Sequence, residues 1–178
     1  MPTSLNDMSV FRRFLMMQGD VAKNYITFED AEVGKICASA YGDGTGCTKK
    51  MLEAVTSVKE NDGFKGNKSI KSFDEFEYFT GVTSIPQYIF STSSLVKITI
   101  PKNIKSIANY WYRSNEKNEG VRIKMMPTTP PSVSWALFNG VPTTAKFYVP
   151  DESVELYKSA GTWSNRADYI FPLSELAE

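Results

Sequence analysis

The sequence contains no histidine. Histidine is the most frequent general base, the usual partner of serine and cysteine nucleophiles, and the commonest ligand of transition metals. Its absence removes a large part of known enzyme chemistry. Paired carboxylates and lysine Schiff bases need a recognisable constellation of residues, and the sequence shows none. We therefore expect a protein that is not an enzyme and needs no cofactor.

Cysteine is also scarce, with only Cys37 and Cys47 among 178 residues. Two cysteines are too few for a disulfide framework, and their separation is not the CxxC spacing of zinc or redox sites. Because free cysteine behaves mainly as a small hydrophobic residue, we expect two buried thiols. A disulfide between them is the alternative.

No charge of one sign dominates, since 20 Lys and Arg balance 20 Asp and Glu. This balance predicts no nucleic-acid partner and no global attraction to anionic membranes. No apolar run approaches the roughly 18 residues of a membrane span. The run from Phe14 to Met17 is shorter than the about 7 to 15 apolar residues of a secretory signal, so the first residues do not predict one.

The pattern of residues divides the chain into three regions. Residues 1–24 have no clear periodicity and are expected to form a loosely held tail. Residues 25–63 predict a helical N-terminal cap, with one helix capped by Thr27 and a second from Thr48 to Val58. Residues 64–178 contain a repeat.

An apolar series in this third region recurs about 22 residues later. Its first copy consists of Val82, Ile85, Phe90, Leu95, Ile98, Ile100 and Pro101. The second copy begins with Ile104, Ile107 and Tyr112 and resumes at Val121 after a polar insertion, and the third runs from Val133 to Pro150. A degenerate leading copy comprises Ile70, Phe73, Phe76 and Phe79. Each copy predicts one short strand whose alternate side chains enter a shared core.

The stretch that follows the repeats predicts a closing segment. A helix is expected over Ser153 to Ala160, and residues from Trp163 to Pro172 are expected to cover the end of the array. Such a cover is needed because an open coil exposes its core.

The segment SLVKITIPKNI resembles the units of the BspA-type leucine-rich-repeat family, which read LxxIxxxxFxxxxxLxxIxIPxxV. The segments TPPSVSWALFNG and FYVPDESVELYKSA are similar to the unit that often ends such arrays. The resemblance implies an α+β fold, a short leucine-rich-repeat solenoid of irregular strand coils between a helical N-terminal module and a C-terminal helix and loop cap. It also implies a bacterial protein of adhesion or protein binding, at the cell surface or outside the cell, with no family active site.

Related N-terminal modules carry a calcium loop that resembles DxNxDGxLSxxE. The corresponding segment here is AYGDGTGCTKKM, in which Ala40, Gly42 and Gly44 would take the first three ligand positions and Met51 the last. None of these side chains supplies oxygen to calcium. The sequence therefore predicts no metal site.

Alignment of the three strands places two columns of side chains on the outward face. They are Lys97, Arg122 and Lys146 in the first column, and Thr99, Lys124 and Tyr148 in the second. Like charges on strands about 4.8 Å apart repel each other, which favours an anionic ligand. The alternative is that long cationic side chains extend into water and cover apolar surface.

Two further clusters have a functional and a structural interpretation. Tyr112 aligns with Phe90 and is therefore expected in the core. Tyr110 and Trp111 remain as candidate surface rings that could stack on a sugar or a nucleobase. The alternative is that both rings pack at the junction between repeats. The acidic run at residues 74–77 is expected to be a solvated face without catalytic function.

We therefore expect a non-catalytic binding or adhesion module that binds a protein or an anionic glycan through its strand face. The alternative is a structural or accessory protein of a phage or mobile element.

Overall fold

A computed structural model describes residues 23–91, 94–113 and 120–176. All but two residues of the predicted tail lie outside these ranges. Within them, eight short strands form two parallel sheets, accompanied by a few short helices. No helix in these ranges is long and apolar enough to reach across a bilayer.

The larger sheet has five strands in the order β1-β3-β5-β7-β8, and the smaller sheet has the order β2-β4-β6. The strands of the larger sheet are β1 (Ser72–Phe73), β3 (Lys97–Ile100), β5 (Arg122–Met125), β7 (Lys146–Val149) and β8 (Ile170–Pro172). Those of the smaller sheet are β2 (Ser84–Ile85), β4 (Ser106–Ile107) and β6 (Ser132–Val133). From β1 to β7 the chain alternates between the two sheets, so each coil of the solenoid adds one strand to each sheet.

The strand register agrees with the alignment of the repeats. Lys97 pairs with Arg122, which pairs with Lys146, and the second column pairs in the same way two residues later. The residue between the columns points inward on every strand, since Ile98, Ile123 and Phe147 are all buried. Alternation with a period of two therefore holds each column on one face.

Aromatic rings fill the core of the first coils. Five phenylalanine rings form a cluster in which contacting rings have their centres 5.1 to 6.0 Å apart, and they belong to Phe64, Phe73, Phe76, Phe79 and Phe90. Tyr112 is buried as expected and forms a parallel bridge with Phe90. The predicted leading copy thus contributes strand β1 and much of this cluster.

The first helix spans Ala31–Ala40, and its N-cap is Asp30, whose carboxylate accepts hydrogen bonds from the backbone N–H groups of Glu32 and Val33. The expected cap at Thr27 was wrong, because the better acceptor lies three residues later.

The second helix spans Lys49–Glu53 and begins at the expected cap, Thr48, but it ends five residues before Val58. The β-branched residues Val55, Thr56 and Val58 lose side-chain freedom in a helix and favour the extended chain seen here. Val58 is nevertheless buried, so this apolar position packs from an extended segment instead of from a helix.

Beyond β7 the chain forms the helix Val154–Ser159, a 3-10 segment over Gly161–Tyr169 and then β8. Tyr157 and Trp163 are buried here, and the polar group of each ring donates a hydrogen bond to a backbone carbonyl. The Tyr157 hydroxyl donates to the carbonyl of Pro127 at 2.8 Å, and Trp163 Nε1 donates to the carbonyl of Pro131 at 3.1 Å. Burial raises the pKa of Tyr157, so this phenol stays protonated.

Cys37 and Cys47 are both buried and both free. The expected pair of packed thiols is therefore present, and the alternative disulfide is not formed. Burial raises the pKa of Cys47 to about 11 and also raises that of Cys37, so neither sulfur is a thiolate at neutral pH.

Candidate ligand-binding face

The strand face is defined here as the outward side chains of β3, β5 and β7. It comprises Lys97, Thr99, Arg122, Lys124, Lys146 and Tyr148. Straight pairing across the sheet aligns them in two columns, as the sequence predicted. Two members are not accessible, however, since Thr99 is only 2% exposed and Tyr148 only 7% exposed. Both residues occupy the predicted outward positions, but they are buried there and cannot contact a ligand as the sequence had suggested.

At one end of the face, two carboxylates from outside the repeat strands contact the cations. Asp74 accepts from Thr99 Oγ1 at 2.6 Å and lies 3.0 Å from Lys97 Nζ and 3.3 Å from Lys124 Nζ. Glu29 accepts from Lys97 Nζ at 2.8 Å and from Ser72 Oγ at 2.9 Å. Each carboxylate therefore bridges positions on neighbouring strands.

These contacts shift the pKa values of the groups involved. Hydrogen bonds from Lys97 and Ser72 lower the pKa of Glu29, and the bond to Glu29 raises the pKa of Lys97. Burial disfavours the charge on Asp74, but hydrogen bonds from Thr99 and Lys97, with the charges of Lys97 and Lys124, outweigh it and lower the pKa of Asp74. With these pKa shifts, Glu29, Asp74 and Lys97 are all charged at neutral pH.

At the other end of the face lies a groove of about 520 Å³. Its lining residues are Gly120, Val121, Arg122, Thr144, Lys146 and Tyr148. The Lys146 ammonium lies 5.3 Å from the centre of the Phe171 ring, and the rings of Tyr148 and Phe171 are 5.9 Å apart. The groove thus has two cations on adjacent strands in its lining, whereas Tyr148, the aromatic residue of that lining, is only 7% exposed. Two neighbouring cations of this kind can bind an anion.

The two candidate surface aromatics lie in different environments. Trp111 is only 1% exposed, and its ring packs 5.5 Å from Tyr112 and 6.3 Å from Phe90. Of the two interpretations of Trp111, the structure agrees with packing at the repeat junction, because the repeat register aligns Trp111 with Ile89, which is also apolar and buried. Tyr110 is half-buried and stacks on Tyr88 at 5.7 Å.

The acidic run at residues 74–77 is not the solvated face expected from the sequence, except at the exposed Glu77. Asp74 is held by the strand face, and Glu75 Oε1 accepts the backbone N–H of Glu29 at 2.6 Å. The position of Asp74 beside the strand face could have been predicted, because Asp74 follows the strand of the leading copy and extends the second column. No sequence signal indicated Glu29, which lies far away along the chain.

In the described part of the chain, no three acidic or cysteine side chains are grouped so that they could hold a metal ion. The polar groups of the strand face are ammonium, guanidinium and hydroxyl donors. Their chemistry is the recognition of negative charge.

A family model described as BspA type leucine rich repeat region matches residues 26–164 in six copies. The matched range contains strands β1 to β7 and also both helices of the N-terminal region. No curated protein matches the chain.

Proposed function

The chain belongs to the BspA-type leucine-rich-repeat family, and on that premise we propose that it is a non-catalytic module that binds a protein or an anionic glycan through its strand face. Membership in this family suggests protein binding or adhesion and brings no catalytic residues with it. Fold alone does not define a ligand, so the proposal rests on the chemistry of the face.

The observation that carries the proposal is the groove beside Arg122 and Lys146. Pairing of these two residues on adjacent strands aligns two cations where stability alone favours opposite charges. Concave surfaces with a few convergent polar groups are typical of binding sites. An anionic ligand in this groove would contact the exposed ammonium of Lys146.

Binding to an array of glycans and extracellular-matrix proteins tests this function. We expect the wild-type protein to bind at least one anionic component, and the double variant Arg122→Glu, Lys146→Glu to lose that binding. Lys105→Glu is the matched control, because Lys105 is exposed and lies outside the strand face. Binding that survives the double variant, or an array without any bound component, would contradict the proposal.

A further inference from the structure

We propose that the surface around Tyr110 and Trp135 binds a neutral sugar ring of a glycan. This surface lies beside the smaller sheet, and neither residue belongs to the strand face. The inference therefore goes beyond the proposed function and does not depend on it. It names a second binding surface and a different class of ligand, since the sugar is uncharged.

Tyr88 and Tyr110 occupy equivalent positions, each three residues after a strand of the smaller sheet. The backbone N–H of Tyr88 donates to the carbonyl of Tyr110 at 3.1 Å, so the two coils are in register here. Their rings are nearly parallel, at 19°, with their centres 5.7 Å apart. The Lys65 ammonium lies 5.4 Å from the centre of the Tyr88 ring. Tyr88 therefore contacts both a cation and the next ring of the stack.

The stack of Tyr88 and Tyr110 is not continued on the third coil. The equivalent residue there, three positions after β6, is the buried Ala136. Strand β4 lies between β2 and β6, so Tyr110 follows Tyr88 toward this third coil. Within the described ranges, Tyr88 is the one ring that packs against Tyr110. Because the methyl group of alanine cannot extend a stack of rings, a ring supplied by a ligand can take the next place.

Trp135 lies beside this place. The pairing of β4 with β6, extended by two residues, puts Trp135 opposite Asn109, the residue before Tyr110. The Ser134 hydroxyl donates to the side-chain carbonyl of Asn109, which holds the two coils together at this point. Trp135 is 79% exposed. A tryptophan with this much of its ring in water is typical of an interaction surface, where a partner covers it.

The polar groups joined to this surface favour a sugar. Asn139 Nδ2 donates to the Tyr110 hydroxyl at 3.5 Å, and the Asn109 amide lies across from Trp135. Amides and hydroxyls both donate and accept hydrogen bonds, as the hydroxyls of a sugar do. The negative faces of aromatic rings attract the weakly positive C–H groups of a sugar ring. A nucleotide would bring phosphate charge, for which cations are better partners than amides.

The backbone at the two tyrosines is strained. Tyr88 has φ 61° and Tyr110 has φ 53°, in the left-handed region that bulky residues rarely adopt. Glycine or asparagine would adopt this conformation with less strain. Residues held in this way cluster at ligand clamps and other functional sites. The strained backbone here keeps a half-buried ring of Tyr110 at the end of the stack.

The indole N–H signals in an NMR titration of the full chain test the inference. Of the three tryptophans, Trp111 and Trp163 are buried, so the Trp135 signal reports on the surface. The probes are two neutral oligosaccharides, cellohexaose and chitohexaose, added separately. We expect at least one of them to shift the Trp135 signal saturably and to leave the other two indole signals in place.

Three variants, measured by isothermal titration calorimetry with the same sugar, locate the site. Tyr110→Asn should weaken the affinity about tenfold, because it removes the stacking ring from a backbone that asparagine tolerates. Trp135→Ala should also weaken it about tenfold, and this exposed ring can be removed without loss of core packing. Tyr88→Asn is the matched control, the same change one coil earlier, and should alter the affinity by less than about twofold.

The inference is overturned if neither sugar shifts the Trp135 signal, or if Tyr88→Asn weakens binding as much as Tyr110→Asn. It is also overturned if adenosine shifts the Trp135 signal and the sugars do not, since the surface would then select a planar base. The double variant Arg122→Glu, Lys146→Glu should bind the sugar as the wild type does. Failure of the strand-face proposal and failure of this inference are therefore distinguishable.

Discussion

The two ends of the strand face share one geometry and differ in what lies over it. Toward β1, Glu29 and Asp74 contact Lys97 and Lys124 and hold them in a network of charge and hydrogen bonds. Toward β8, Lys146 is exposed beside a groove and an aromatic ring. The repeats thus provide the positions of the cations, and segments outside the repeat strands decide which cations remain accessible.

The largest expected effect is that of Ile123→Ala, which tests whether both ends belong to one cooperative core. Ile123 is fully buried on the central strand β5. Its truncation should cost about 2–5 kcal/mol, because the removed groups leave a cavity. Urea denaturation followed by tryptophan fluorescence and by circular dichroism should give coincident transitions. Two separate transitions would show that the ends unfold independently, and Ile123→Val, at about 0.5–1.5 kcal/mol, provides a graded control.

A smaller effect should separate the two ends directly. Asp74→Ala removes the shared acceptor of Lys97, Thr99 and Lys124 and should destabilise the protein by about 1–3 kcal/mol, the cost of leaving partly buried donors unpaired. Lys146→Ala, at the accessible end, should change stability by no more than about 0.5 kcal/mol. Equal effects of the two substitutions in urea denaturation would contradict the distinction between a held end and an accessible end.

The smallest effect concerns acid. Because the pKa of Asp74 is lowered in the folded protein, its stabilising contribution is complete above the unfolded value near about 4 and is lost as the pH falls through the lower folded pKa. The free energy of unfolding should therefore decline more steeply below about pH 4 in the wild type than in Asp74→Asn. Urea denaturation at several pH values measures this, and parallel pH profiles would rule out the assigned contribution of Asp74.

The strands and their register were predictable because two periodicities agree. Alternation along each strand fixes which side chains face inward, and the repeat interval fixes which residues pair. The same register, applied fully, also explains why Trp111 is buried. The repeat register does not predict that Glu29 contacts Ser72 and Lys97. That contact depends on how the segment before the first helix packs against β1 and β3.

Long-range contacts account for the other differences. Asp30 replaced Thr27 as the helix cap because its carboxylate also accepts the backbone N–H groups of Lys71 and Ser72, a long-range contact that the local pattern does not show. Likewise, Tyr148 is covered through a neighbour on β8, a strand that the repeat pattern did not include. The candidate site was therefore predictable in position but not in accessibility.

Pairing in the larger sheet runs from β3 through β5 to β7 with matched residues and no offset. During evolution, the length of such a protein can change by the gain or loss of one whole coil. Duplication of one coil would add a strand to each sheet and lengthen the strand face by about 4.8 Å, while the contacts inside the existing coils stay in place. The reach of this surface can thus grow or shrink in fixed steps by copying or deleting a segment of the gene, without any redesign of the core.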